Sequence, residues 1–550
     1  MKDKRVFPWL WENSKNSRIY ILLLTVLSVL FSLIQLLFVS ASKNVIDIAI
    51  GAKEGNLISS ALVLLGLLML QLTMQILINF TDVHATSRFE INLKKNIFRR
   101  MMNKDYLSIT KHHSGELLNF LDSDVNIIVT GVIGILPSLA LFLTSIVGGV
   151  IMLWNIDNFL AGLILFIGPC LALGARIYSS KYKKLHKECQ TADGNTKSFM
   201  LEMLQNLLVV KSFESEDNVI LKAEELQKKS YRLRVKRALV SVFASVGMFL
   251  MFNAGYYFAL AYGAFKLSHG LMTFGDVTAI LQLVSKIQAP FKNVSGLIPQ
   301  AFSVIASAER LIDIESIDNE ENSGDAISED ITDDFQIVFD NASFKYSDDS
   351  VVSNIDLTAK KGEFVAIAGE SGAGKSTALK LLLGIFKPIS GEIYIKNNGK
   401  KYEVGKNTRN IFSYVPQGNM IISGTIRENI SFAKPEATDE EIWKACDISV
   451  IGDFIRGLDM GLDTQIGEHG IGLSEGQAQR ILVARAVLAD APALLMDEST
   501  SALDTETEIK LLNNIRSMTD KTCLFVSHKQ NTIDICDKTV YINKGDINNG

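Results

Sequence analysis

Cysteine is scarce in this sequence and poorly placed for chemistry. Its five residues, Cys170, Cys189, Cys446, Cys523 and Cys536, form no Cys-x-x-Cys pair and have no histidine at metal-ligand spacing. They are expected to be reduced, buried bystanders. A basic excess is missing as well: net charge is −5 and the lysines and arginines are interspersed with acids, so no footprint for nucleic acid exists. The charged amino terminus, Met1-Lys2-Asp3-Lys4-Arg5, leads into an apolar run with no small-residue cleavage site. A signal peptide requires one, so the first apolar segment is expected to be retained.

Apolar residues are abundant instead. At 550 residues, 48% hydrophobic and with a mean hydropathy of +0.21, the chain is too long for one domain and too apolar for an ordinary soluble enzyme. Part of it must sit in lipid. Six stretches long enough to cross a bilayer lie at about 19–42, 57–80, 127–153, 159–178, 238–267 and 274–305. Polar helical segments follow the second and fourth, carrying Arg88, Lys94, Lys95, Arg99, Arg100 and Lys104, then Lys181, Lys183, Lys184 and Lys187. The link Trp154-Asn155-Ile156-Asp157 has no basic residue, which predicts a cytoplasmic amino terminus, cytoplasmic long connections and a cytoplasmic carboxyl half. The acidic stretch Asp313 to Asp334, with Glu320-Glu321-Asn322-Ser323-Gly324-Asp325, cannot bury a core and divides a membrane domain (1–312) from an α/β domain (335–550). The expected fold class is therefore multidomain: an all-α six-helix transmembrane domain with long cytoplasmic helical extensions, then an α/β phosphate-loop domain.

Residues 369–377, Gly-Glu-Ser-Gly-Ala-Gly-Lys-Ser-Thr, carry the sharpest chemical signal. Two glycines enclosing four free positions and followed by Lys-Ser form a phosphate-binding loop, and an apolar segment (363–368) precedes it while a helical one (377–383) follows. Backbone N–H groups and a helix dipole can then hold phosphates. Gly369, Glu370, Ser371, Gly372, Ala373, Gly374, Lys375, Ser376 and Thr377 are the expected ATP contacts, with Lys375 on the β- and γ-phosphates and Ser376 on Mg²⁺. Downstream, Ala493-Leu494-Leu495-Met496-Asp497-Glu498 is an apolar strand ending in two acids, suited to place Asp497 near Mg²⁺ and Glu498 beside an attacking water.

Leu473-Ser474-Glu475-Gly476-Gln477, taken with the phosphate loop, resembles the signature peptide of the ATP-binding cassette (ABC) family. The resemblance implies roles for further residues in the family's order. Tyr346 matches the aromatic that stacks on adenine, and Gln417, in Tyr414-Val415-Pro416-Gln417, the glutamine that links Mg²⁺ and water to the membrane domain. Ser501-Ala502-Leu503-Asp504 matches the loop that communicates across the dimer, although Asp504 also reads as a helix N-cap. His528 matches the switch histidine facing the γ-phosphate, and Ser474, Gly476 and Gln477 are the expected ATP contacts from the opposite subunit. The membrane half is similar to the exporter branch. Residues 113–125 look like the segment after the first coupling helix, 202–213 like the region of the second, and Thr464-Gln465-Ile466-Gly467-Glu468 like the exporters' cross-linking loop.

Two departures stand out. Glu475 replaces the family's glycine, and the chain stops at Gly550, where a final helix usually follows. The resemblance implies a half-transporter in the cell membrane that works as a dimer, with a homodimer favoured and a heterodimer as the alternative. It would use ATP and Mg²⁺ to export an amphipathic cargo such as a drug-like molecule, lipid or peptide, by alternating access. An ATP-gated channel or regulator is the alternative. With the first span beginning near residue 19, no amino-terminal peptidase domain is expected. In the second span Gln71, Gln75 and Asn79 recur every four residues as one polar stripe, either interhelical glue or cavity lining. With Asn253, Tyr256, Tyr257 and Gln282 they suggest an uncharged, aromatic-rich chamber.

Overall fold

The computed structural model describes residues 3–112, 114–321, 327, 331–346, 350–370, 372–418, 420–467, 472–518 and 520–542. Ser371 of the phosphate loop, His113, Asn322 to Asp325, Glu468, the side chain of Cys170 and the closing residues 543–550 lie outside that set. The chain divides into two compact units, 1–100 with 114–316, and 101–113 with 317–550.

Each of the six apolar stretches lies within its own long helix in the first unit: α1 (Arg18–Ala49), α2 (Leu57–Met102), α3 (Val125–Ile156), α4 (Asn158–Gln205), α5 (Glu216–Ser268) and α6 (Phe274–Glu315). A hydrocarbon layer roughly 30 Å thick needs about 20 residues of helix, and the helices of 42 to 53 residues extend well beyond that. Among the described residues, four helical segments are long and apolar enough to cross a membrane: Lys15–Ala49, Leu57–Met102, Gly115–Ile156 and Glu216–Ser268. A core shared by α1, α3, α4, α5 and α6 gathers Val39, Leu153, Leu160, Ile280, Leu283 and Ile287, all nearly inaccessible. Two buried polar contacts tie helices together. Ser32 and Ser145 bond at 2.8 Å, and Asp124, at 1% exposure, takes the Arg310 guanidinium and the Ser307 hydroxyl. That pairing fastens a π-helical turn at Phe120–Asp124 to the last turns of α6.

The second unit holds two main sheets. Strands β1 (Gln336–Lys345), β2 (Ser350–Lys360), β4 (Ser390–Asn397) and β5 (Lys400–Glu403) form an antiparallel sheet in the order β2-β1-β4-β5. A parallel sheet runs β9-β3-β8-β7-β6, with β3 (Phe364–Ala368), β6 (Phe412–Val415), β7 (Ala493–Asp497), β8 (Thr522–Val526) and β9 (Lys538–Tyr541). Strands β3, β7 and β8 are buried throughout, as their continuous apolar sequences require of a parallel sheet covered on both faces. Val526 pairs with both Ile367 and Asp497, so the carboxyl ends of three adjacent strands open at one place. Ligands bind at such ends in open α/β sheets.

Residues 101–113, between two predicted spans, fold with this second unit. The Lys104 ammonium donates to Ile317 O (2.6 Å) and to Asn319 (2.9 Å), and the Asp105 N–H donates to Asp318 O. Asp105 then caps a single helical turn at Tyr106–Ile109. The acidic connection also contributes to the core, since Ile327 is 5% exposed within the apolar cluster beneath β1. Among the described cysteines, Cys189, Cys446 and Cys523 are buried and free, and burial pushes the Cys446 thiol up to about 12.

Candidate nucleotide site

Strand β3 delivers the phosphate loop, and helix α7 (Lys375–Leu382) begins directly after Gly374. Gly369 sits at φ +153°, and a Cβ there would lie 2.3 Å from Ile542 O, so only glycine fits beneath β9. The Lys375 ammonium donates to the Gly369 and Glu370 carbonyls, both at 2.9 Å. It lies folded over the loop, where incoming phosphate oxygens can replace those carbonyls. The Ser376 hydroxyl donates to Asp497 Oδ1 at 2.8 Å, which brings two of the expected Mg²⁺ ligands together.

Asp497 is the electrostatic centre of the site. It is 1% exposed, and burial pushes its carboxyl above the usual range, against the Ser376 and Tyr414 hydrogen bonds that favour the anion. A buried carboxylate that forms no ion pair among the described residues suits a divalent ion that takes oxygen ligands, so Ser376 and Asp497 fit Mg²⁺ by donor chemistry. Tyr414, on β6 beside β7, donates its hydroxyl to Asp497 Oδ2 at 3.2 Å. Burial and the neighbouring carboxylate push that phenol upward, so it remains a donor.

Glu498 follows the strand at φ +46°, with its N–H on Val526 O at 2.9 Å. The turn aims its carboxylate away from the sheet, where Gln417 donates Nε2–H to Glu498 Oε2 at 2.6 Å. His528 Nδ1 stands 3.9 Å from the other oxygen and its side chain is exposed. Three residues from separate segments thus converge beside the phosphate loop. Tyr346 stands half in solvent, edge-on to Phe344 and Phe386 with centroids at 5.1 and 5.4 Å, and its hydroxyl meets Thr377 at 3.3 Å. Its partners fix one edge and leave the ring available for a base. Phe386 also lies 6.2 Å from Tyr106, on the turn contributed by residues 101–113.

The signature residues form a separate cluster. Ser474 caps α8 (Glu475–Leu488) by a reciprocal box: Gln477 N–H donates to the serine hydroxyl, and Ser474 N–H donates to Gln477 Oε1. Among the described residues, no hydrogen bond joins Ser474, Gly476 or Gln477 to the phosphate loop. A Cβ on Gly476 would stand 2.9 Å from Ala502 O, so this glycine permits the close approach of the 501–504 loop. Gln479, which the sequence motifs do not single out, fastens the same contact, donating to Ser501 Oγ (3.0 Å) and accepting from Ala502 N–H (3.1 Å). Asp504 caps α9 (Thr505–Arg516), accepting from both the Thr507 N–H and its hydroxyl. Those bonds hold its carboxyl below the usual range. Glu475 is exposed in the first turn of α8, where its charge complements the helix dipole.

Comparison with known proteins agrees with this architecture. Residues 21–291 match the ABC transporter transmembrane region, and residues 352–501 match the ABC transporter family. ABC transporter B family member 1 of Dictyostelium discoideum is 29% identical over 469 residues, 84% of this chain and 51% of that protein, so the chain spans about half its length. An ATP-dependent lipid A-core flippase of Photobacterium profundum is 27% identical over 468 residues, covering 84% of this chain and 80% of that one. The structure of a bacterial Atm1-family ABC exporter with ATP bound superposes with a TM-score of 0.80 over 97% of this chain and 94% of that chain, at 22% identity. A helical transmembrane region fused to a phosphate-loop ATPase domain, matched along both halves, makes this chain a member of the ABC transporter family with the exporter fold.

Proposed function

We propose that the protein is a half-transporter that exports an amphipathic substrate across the cell membrane by alternating access, two chains acting together. The observation that carries this reading is the convergence of Ser376, Asp497, Gln417 and Glu498 beside the phosphate loop of a chain with long apolar helices. Lys375 and the loop amides bind the phosphates, Tyr346 flanks adenine, and Glu498 orients and deprotonates the attacking water while His528 faces the γ-phosphate. Ser376, Asp497 and Gln417 would hold Mg²⁺, which would supply charge neutralisation for the phosphates. Ser474, Gly476 and Gln477 close on the phosphate loop of the opposite chain, with Asp504 and its loop between the two sites. All six apolar stretches are assigned as spans, with the amino terminus and the ATPase domain in the cytoplasm. A homodimer is favoured because every nucleotide element is present and only Glu475 departs from the signature.

Differential affinity of ATP for the closed pair is what moves the cavity outward, and hydrolysis resets it. Glu498→Gln should bind ATP with near-wild-type affinity yet lose nearly all turnover, about a hundredfold or more, because an amide cannot take the water's proton. Nucleotide binding and phosphate release measured on the same preparation test this. Near-wild-type phosphate release would refute the role given to Glu498.

A further inference from the structure

Three lysines in or beside the apolar stretches differ in what their ammonium groups meet. Lys43, six residues before the end of α1, pairs with Asp276 at 2.5 Å, and Lys266, two residues before the end of α5, pairs with Asp157 at 2.5 Å. Both lie at helix ends and both carry a carboxylate. The side chain of Lys292, also within the 274–305 stretch, lies outside the described residues; of the three, Lys286 lies furthest from a helix end and has no carboxylate among the described residues. It stands twelve residues into α6, about 18 Å along the axis, near the middle of a layer roughly 30 Å thick. Its ammonium donates to the neutral amide oxygen Oε1 of Gln35 on α1, at 2.9 Å. An ammonium has three donors, and among the described residues no carboxylate lies within pairing distance of this one.

The helix surface beside it is small and polar. Ser285, Ala289 and Asn293 are exposed at four-residue spacing along α6, adjoining the direction of Lys286. Exposed positions such as Leu65, Leu72, Ile151 and Phe249 on other apolar helices carry large side chains, while α2 exposes polar ones at Gln75 and Asn79. A small and polar strip leaves room next to the ammonium for a polar group rather than an acyl chain. An ionisable group at this depth is costly unless it is partnered, and it marks a ligand path more often than a packing contact.

We infer that Lys286 binds the anionic headgroup, phosphate or carboxylate, of an amphipathic ligand, with Gln35 holding the ammonium in position. This rests on the transport reading above and names the charge class of its cargo. The competing account is structural: Lys286 only ties α6 to α1 through Gln35, and the site is blind to charge.

The test is equilibrium binding of dodecyl phosphate and of dodecyltrimethylammonium to the purified full chain in phosphatidylcholine nanodiscs, without nucleotide. Lys286→Met is expected to weaken dodecyl phosphate binding by roughly tenfold or more, the scale of one charge-assisted hydrogen bond, and Lys286→Arg to retain it. Lys286→Gln removes the charge while keeping a donor for Gln35, so a loss there is separable from a packing defect in the methionine variant. Wild-type affinity for dodecyl phosphate in the Gln or Met variant overturns the inference, as does wild-type binding that does not distinguish the phosphate from the ammonium. Nanodiscs containing phosphatidylglycerol identify the source: competition assigns a bilayer phospholipid, and its absence a separate amphiphile, with Lys286 the anion site in either case. Because no nucleotide is present, this result stands apart from the Glu498→Gln measurement of turnover, so either can fail without the other.

Discussion

A phenol hydroxyl on one oxygen of Asp497 leaves the other facing Ser376, so Tyr414 sets the rotation of a carboxylate expected to meet Mg²⁺. Tyr414→Phe keeps the ring in its half-buried place on β6 and removes one hydrogen bond, worth about 1 kcal/mol. The Mg²⁺ concentration for half-maximal ATPase should rise roughly fivefold while ATP binding in chelator is unchanged. An unaltered Mg²⁺ dependence would leave Tyr414 as packing only. The residue shows where sequence reading stops. Gly369 to Thr377, Asp497 and Glu498 stand out in the sequence because strand, turn and spacing constrain them together, and His528 only through the family resemblance, whereas Tyr414, Gln479 and Lys286 are single residues in ordinary apolar contexts. Only the neighbour across the sheet, the facing loop or the next helix shows what each meets.

At the scale of elements, apolar runs of twenty or more residues announce helices because lipid forbids unsatisfied backbone, and each run lies within one helix. The single turn at Tyr106–Ile109 carries no periodicity, so its membership of the second unit could not be read from the sequence. The polar stripe on α2 lies between these cases. Gln75 donates to Asn79 at 2.9 Å along the helix, and Gln71 Nε2 is buried with no hydrogen-bond partner among the described residues. An amide left so in hydrocarbon costs on the order of 1 kcal/mol or more, which favours a partner or water reaching the stripe. Cysteines at positions 71, 75 and 79, in a background lacking Cys170 and Cys189, should react with a membrane-impermeant thiol reagent and become protected when ATP is bound. If all three stay unreactive in every nucleotide state and Gln75→Leu leaves transport intact, the stripe is helix packing.

For the whole molecule, the decisive feature is that Ser474 and Gly476 are built into α8 and the 501–504 loop, without a hydrogen bond to the phosphate loop of their own chain among the described residues. If each site is completed by a second chain, two defects in different chains can be sorted into one site. Lys375→Ala removes the cation that faces the phosphates, and Gly476→Asp adds a charge at the signature and a Cβ only 2.9 Å from Ala502 O. Each variant alone has both sites broken. In a mixed pair, the site formed by the alanine chain's phosphate loop and the aspartate chain's signature carries both defects, and the other carries neither. Purification through both tags keeps only mixed dimers, each with one sound site of two, so about half of wild-type ATPase should return from two chains that are inactive separately. The measurement is phosphate release from co-expressed, differently tagged chains purified through both tags. Recovery from the mixed pair supports sites shared between identical chains. Inactivity of the wild-type chain by itself, relieved only by a different half-transporter, would instead assign the physiological partner to another sequence and give Glu475 its meaning there.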